Sequence, residues 1–181
     1  MHTIRRADPA DAEPLSLLAE RSFREAFSAL NTAENMDQHC RASYGVSIQA
    51  AEISDPSRIT LIAELAGVPI GFAQLRFASA PSCVPGNSPG EIHRLYVASG
   101  WHGKGVAIDL ITGCFHEIKG RGHDVVWLGV WEHNPRARAF YGKVGFLSHG
   151  EQVFQLGSDP QRDVVMAMRL DGVRSAFLGR H

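Results

Sequence analysis

The sequence predicts a mixed α/β (α+β) fold with a central sheet and flanking helices. Two observations carry this expectation. A β-rich pair of segments, Ile59 to Leu65 and Ile70 to Phe77, is separated by a short glycine- and proline-bearing turn, which reads as a hairpin. Further on, β-rich runs alternate with stretches of helical periodicity, which reads as strand–helix–strand crossovers. A helical bundle would show neither, and there is no internal repeat or low-complexity block.

Thr3 to Arg6 is a short first strand. Asp8-Pro9 then opens a helix, because Asp8 can accept from unpaired first-turn N–H groups and Pro9 tolerates the first helical position. Asp11 adds negative charge where the helix dipole favours it. Leu15, Leu18, Phe23 and Phe27 recur at roughly helical spacing. A break near Asn31-Thr32 precedes a second helix, about Ala33 to Tyr44, with a continuation through Gln49 to Ile53. Asp55-Pro56-Ser57 is a turn into the hairpin. Ala78 to Gly90, with three prolines and two glycines, is a loop beside a site and not a domain linker.

Glu91 to Val97 is the fourth strand. Gly103 to Lys119 is a helix whose apolar face is Ile108, Leu110, Ile111, Phe115 and Ile118. Asp124 to Val130 is a strand, and Asn134-Pro135 opens a short helix ending near Tyr141 or Gly142. Gly145 to Phe154 forms a further strand and Val164 to Leu170 closes the sheet. Residues 171–181 read as a small tail in which Val173, Phe177 and Leu178 can pack back. The whole chain, 1–181, reads as one domain.

Composition excludes several classes of function. A hydrophobic fraction of 44% suits a packed protein and argues against wholesale disorder. The formal charge of -1, from 18 basic and 19 acidic residues, supplies no global field for nucleic acid or an acidic membrane. No apolar run approaches the ~20 residues that cross a bilayer. The first residues lack the apolar core of a secretory signal, so the expected location is cytoplasmic. Cys40, Cys83 and Cys114 share no CxxC pair. The nine histidines are scattered without HExxH, so no metal is expected.

The most informative segment is Glu91-Ile-His-Arg-Leu-Tyr-Val97 followed by Ala98-Ser-Gly-Trp-His-Gly-Lys-Gly-Val-Ala107. Gly103 and Gly105 permit close backbone approach, and free N–H groups at the start of the next helix can cradle phosphate. Lys104 can add a cation. A purely structural turn would look much the same. The usual P-loop and the GxGxxG dinucleotide fingerprint are both absent.

His102-Gly-Lys-Gly-Val-Ala107 resembles the acetyl-CoA-binding motif of the GNAT superfamily of N-acetyltransferases. That motif reads Gln or Arg, two variable residues, Gly, one variable residue, then Gly or Ala. Gly105 and Ala107 occupy its small positions, while His102 replaces the usual Gln or Arg. Asn134-Pro-Arg-Ala-Arg-Ala-Phe-Tyr-Gly-Lys-Val-Gly-Phe146 resembles the family's later segment, and Ile59 to Phe77 resembles its second and third strands. The two motifs in this order are far more specific than either alone.

The resemblance implies an acyl-CoA N-acyltransferase fold, splayed between its fourth and fifth strands, with acetyl-CoA as cosubstrate. It implies that Tyr96 and Val97 align the pantetheine arm, that His102, Gly103, Lys104, Gly105, Val106 and Ala107 lie at the pyrophosphate, and that Asn134 contacts the cofactor arm. As a plain reading, Asn134 is a helix cap with Pro135 behind it. Tyr141 occupies the position often used to protonate the departing thiolate, and is otherwise a core tyrosine. Glu91 stands near the family's frequent general-base position; burial would raise its pKa toward that task, while an exposed strand-edge carboxylate is the alternative. His93 shares the Glu91 face by strand period and is the second candidate base.

The implied reaction is direct transfer of acetyl to a primary amine of a small molecule or peptide, through a tetrahedral intermediate. No nucleic-acid or membrane partner is expected, and a homodimer stays open. Residues 20 to 58 and 78 to 90 are expected to shape the acceptor pocket, with Phe23, Phe27 and Tyr44 lining it or serving the core. Trp127, Gly129 and Trp131 share one strand face, so either tryptophan can cover a channel or pack the core. A non-catalytic acyl-CoA-binding or interaction module, and an enzyme of a different nucleotide phosphate, are the rival readings.

Overall fold

The computed structural model describes residues 1–172. Val173, Phe177 and Leu178 lie outside the described residues. β1 (Thr3–Arg6) is followed by a capping box, in which the Asp8 side chain accepts from the Ala10 amide at 2.8 Å and Asp11 accepts from the Asp8 amide at 2.8 Å. Asp11 also takes two hydrogen bonds from the Arg5 guanidinium, at 2.6 and 2.8 Å, which ties β1 to the head of α1 (Ala12–Phe27). α2 (Ala33–Ser43) starts on a Thr32 cap. The expected continuation is a separate helix, α3 (Val46–Ser54), because the chain leaves helical geometry at Tyr44 and Gly45.

β2 (Arg58–Leu65) and β3 (Val68–Arg76) form the hairpin. Its turn is Ala66-Gly67, with φ of 50° and 78°; two positive values make it a primed turn, whose twist matches the strands. The remaining elements are β4 (Pro89–Val97), α4 (Val106–Gly120), β5 (Val125–Trp131), α5 (Pro135–Val144), β6 (Leu147–Leu156) and β7 (Asp159–Arg169). Strand order is β1-β2-β3-β4-β5-β7-β6, with β4 and β5 parallel and the other pairs antiparallel.

The last strand therefore does not close the sheet. β7 is inserted between β5 and β6. Its apolar run Val164-Val165-Met166-Ala167 suits an interior strand, whereas β6 carries Ser148, His149 and Glu151 and is suited to an edge.

α4 covers one face of the sheet. Leu110, Ile111, Cys114, Phe115 and Ile118 are fully buried against residues such as Leu61, Leu75, Ile92 and Leu128. The other face carries α1 and α2, where Leu15, Leu18, Phe23, Met36 and Tyr44 pack on Phe72. The loop after β3 covers a third cluster around Trp127 through Ala80, Cys83 and Val84. It is held there by Asp124, whose carboxylate accepts from the amides of Asn87 at 3.1 Å and Ser88 at 2.9 Å.

Candidate active site at the opening between the fourth and fifth strands

β4 and β5 stay paired over only three positions, Pro89 to Glu91 against Val125 to Trp127. Beyond Glu91, no strand among the described residues pairs with β4 on that side, which leaves its backbone polar groups there open to another partner. The cause is local. Leu75 pairs with Ile92 and Gln74 with Arg94, which leaves His93 as the extra residue of a β-bulge. The bulge also shifts the alternation of faces. Ile92, Leu95 and Val97 pack into the α4-side core, while Tyr96 joins the α1-side core.

Two adjoining clefts occupy the opening. One, of about 320 Å³, is bordered by Glu91, His93, Arg94, Gln152 and Asp163. The other, of about 480 Å³, runs past Val97, His102, Ala107 and Phe140. Tyr96, Trp131, Asn134 and Tyr141 are among the residues that line both, so they stand where the clefts meet.

The second cleft leads toward the glycine segment. Gly103 and Gly105 have φ of 75° and 85°, and a Cβ at either would meet nothing within 4 Å. The glycines are there for backbone conformation and leave the surface bare. The helix begins at Val106, three residues later than its sequence period indicates, because Gly105 is its left-handed N-cap. Gly105 has no side chain with which to cap that end, which leaves the first amide N–H groups of α4 available to an anion. His102 is exposed, and its Nε2–H donates to the Val97 carbonyl at 2.8 Å. Lys104 is exposed, with its ammonium 4.8 Å from the centre of the Trp101 ring. Open glycines, an uncapped helix start and a long cleft with unpaired strand backbone fit a diphosphate-bearing acyl thioester.

In the first cleft Glu91 is 5% exposed and accepts from Arg76 Nε at 2.7 Å and Nη2 at 3.1 Å. Burial pushes its pKa up, but hydrogen bonds from His93 and Arg76, with their charges, outweigh burial and the net shift is down. The upward shift expected from the sequence is thus reversed by His93 on the same strand and by Arg76 on the neighbouring one, which the strand pattern did not reveal. His93 Nδ1 lies 3.4 Å from Glu91 Oε1, so the two residues do share a face. Burial lowers the His93 pKa more than Glu91 raises it, so the ring is neutral at pH 7.

Tyr141 is buried on α5 and contacts the rings of Phe140 and Phe146. Burial, then Tyr96 and Cys114, raises its pKa, so its hydroxyl keeps its proton and can donate. Tyr96 is pushed up to about 12, again chiefly by burial. Asn134 caps α5 by accepting from the Ala137 amide at 3.0 Å, and it also borders both clefts.

Several expectations are redistributed. Phe23 and Phe27 border the first cleft, with Phe23 also in the core, whereas Tyr44 is core only. The 78–90 loop lines neither cleft and instead covers Trp127. Of the two tryptophans, Trp131 borders the site and Trp127 packs beneath that loop. Burial raises the Cys114 thiol far above its usual range, which suits a packing role. Asp163 is the site residue that sequence reasoning missed. A lone acid at the head of the apolar run Asp163-Val-Val-Met-Ala167 was the signal.

Residues 19–146 match the family described as Acetyltransferase (GNAT) family. A Mycobacterium tuberculosis protein described as an uncharacterized N-acetyltransferase is 32% identical over 161 residues, covering 88% of this chain and 98% of that one. PaiA N-acetyltransferase from Thermoplasma acidophilum, solved in complex with coenzyme A, superposes with a TM-score of 0.78 at 22% identity, covering 93% of this chain and 99% of that one. A Salmonella typhimurium protein solved with its cofactor acetyl-CoA superposes with a TM-score of 0.64 at 18% identity, covering 94% and 95%. Among the described residues no helix is long and apolar enough to cross a membrane. With a family match over most of its length and a splayed sheet around a bare glycine-bearing helix start, the chain belongs to the GNAT family and is an N-acetyltransferase.

Proposed function

We propose that this enzyme acetylates a primary amine of a small molecule or peptide, in the cytoplasm, by direct attack. The observation that carries this reading is the meeting of the two clefts at Tyr141, with a neutral His93 bordering the first of them. Acetyl-CoA supplies the acetyl group as an activated thioester. Gly103, Gly105, Val106 and Ala107 present backbone at the diphosphate, with Lys104 and His102 at the mouth. Tyr96, Val97 and Asn134 line the arm, and the Val97 amide serves the developing negative charge of the carbonyl.

The incoming amine reaches the site as an ammonium and must lose a proton before it attacks. His93 takes that proton, since its ring is neutral at working pH. With Nδ1–H directed to Glu91, Nε2 is left as the acceptor. Glu91, held ionised by Arg76, orients His93 and stabilises it once charged. As the C–S bond breaks, Tyr141 gives its proton to the departing sulfur, and the second proton shed by the acylated nitrogen restores the phenol. Buried walls orient the partners, so much of the rate advantage is positional.

The deciding experiment incubates the enzyme with acetyl-CoA and a broad amine panel, following thiol release and product mass. An N-acetylated product is expected. Thiol release with no acetylated amine would show thioester hydrolysis, and acetyl-CoA binding with no turnover would show a binding module; either removes the proposal.

The glycine cradle has its own test. Placing Ala at Gly105 forces a left-handed φ on a residue with a Cβ, at a cost of about 1–2 kcal/mol. Acetyl-CoA affinity measured by calorimetry is expected to fall about 5- to 30-fold as the segment relaxes away from that geometry. Gly100→Ala, where the added carbon also meets open space but φ is ordinary, is expected to bind as the parent does.

A further inference from the structure

Asp163 carries a charge that the cleft does not balance. It sits on β7 opposite Trp131 of β5 and Gln152 of β6, and is 7% exposed. Its carboxylate lies over Gly129, where a Cβ would come within 2.9 Å of Oδ2 and would also press on the Gln152 amide. The missing side chain of Gly129 makes room for this pair of polar groups at the cleft wall. The other charges of the cleft are already matched. Arg76 is engaged by Glu91, and Arg94 donates to Glu52 at 2.8 Å and Gln74 at 2.6 Å. Among the described residues Asp163 enters no ion pair. Burial pushes its pKa up to about 6, opposed only by the hydrogen bond from Gln152. A buried carboxylate without a cation is costly, and a bound cation relieves that cost.

The surroundings suit an alkylammonium. Phe23, Phe27, Tyr96, Trp131 and Phe154 border the same cleft, and aromatic faces attract cations. The charge-binding and proton-accepting groups sit on different strands, Asp163 on β7 and His93 on β4, with β5 between them in the sheet order. The amine that reacts must be uncharged when it attacks, so a persistent positive charge belongs to another part of the acceptor.

We propose that Asp163 binds a second cationic group of the acceptor, so that the preferred substrates carry an ammonium besides the amine that is acetylated. This rests on the first cleft being the amine site, and it adds a substrate class to that reading.

The test compares 1,5-diaminopentane with 5-amino-1-pentanol, which differ in one charged end. The wild-type enzyme is expected to favour the diamine at least tenfold in kcat/KM, mainly through KM. The diamine, and not the amino alcohol, is expected to raise the melting temperature. Asp163→Asn keeps the shape and removes the charge, and is expected to bring the ratio close to one. Gly129→Ala displaces the same carboxylate by a different route and is expected to lower the ratio too, so a poorly folding Asp163 variant does not block the test. A wild-type ratio near one, or an undiminished ratio in a folded Asp163→Asn, overturns the assignment while leaving amine acetylation intact. Failure to acetylate either compound, or any amine of the broader panel, overturns the parent reading and this one with it.

Discussion

Replacing Tyr141 by Phe is expected to lower kcat by about 100-fold or more while acetyl-CoA binds within about twofold of its parent affinity. General acid–base groups contribute on the order of 10²–10⁴ in rate. The substitution removes one oxygen from a side chain that is buried among Phe140, Phe146 and the cleft walls. Its ring packing survives, and with it the shape of both clefts. The raised pKa of the phenol keeps it protonated through the working pH range, so no limb of the pH profile should belong to it. Rapid-quench turnover and calorimetric affinity together check this. Unchanged turnover would remove Tyr141 as the required acid, and a parallel loss of affinity would show a binding role instead.

His93→Gln is expected to cost a similar factor of about 100 or more in kcat, and to change the pH profile as well. The sign follows from burial, which lowers the His93 pKa below 6.5. The ring is therefore neutral and competent at pH 7 and above. It loses competence as pH falls through that lowered value, so kcat should drop on the acid side at a pH below 6.5. Glutamine retains an amide near Glu91 but cannot carry the proton away, so the acid limb should vanish along with the rate. The kcat profile is the one to follow, because it reports groups in the bound complex and is free of the acceptor amine's own ionisation in solution. If Glu91 were the base, Glu91→Gln would abolish the limb and His93→Gln would preserve it. Ionised Glu91 beside Arg76 makes loss of the limb in His93→Gln the expected outcome.

The order of helices and strands, the hairpin, the glycine entry to α4 and the cap of α5 were legible in the sequence, because they depend on neighbours a few residues away. Gly103 and Gly105 announce positive φ by residue type, and Asn134-Pro135 announces a helix start. Family resemblance in the same segments pointed to the cofactor. Long-range pairing was not legible. Whether β7 ends the sheet or enters it depends on which strands offer an open edge. Arg76 reaches Glu91 only because β3 lies beside β4, and together with the hydrogen bond from His93 it reverses the pKa shift inferred from burial alone. The bulge at His93 changes which β4 side chains face α1, a phase that strict alternation misassigns. Asp163 enters the site across β5, far from either motif, through space that Gly129 leaves open. Local backbone chemistry thus determined the parts. Which charges meet, and which one is left without an ion pair among the described residues, was decided by packing between residues distant in the chain.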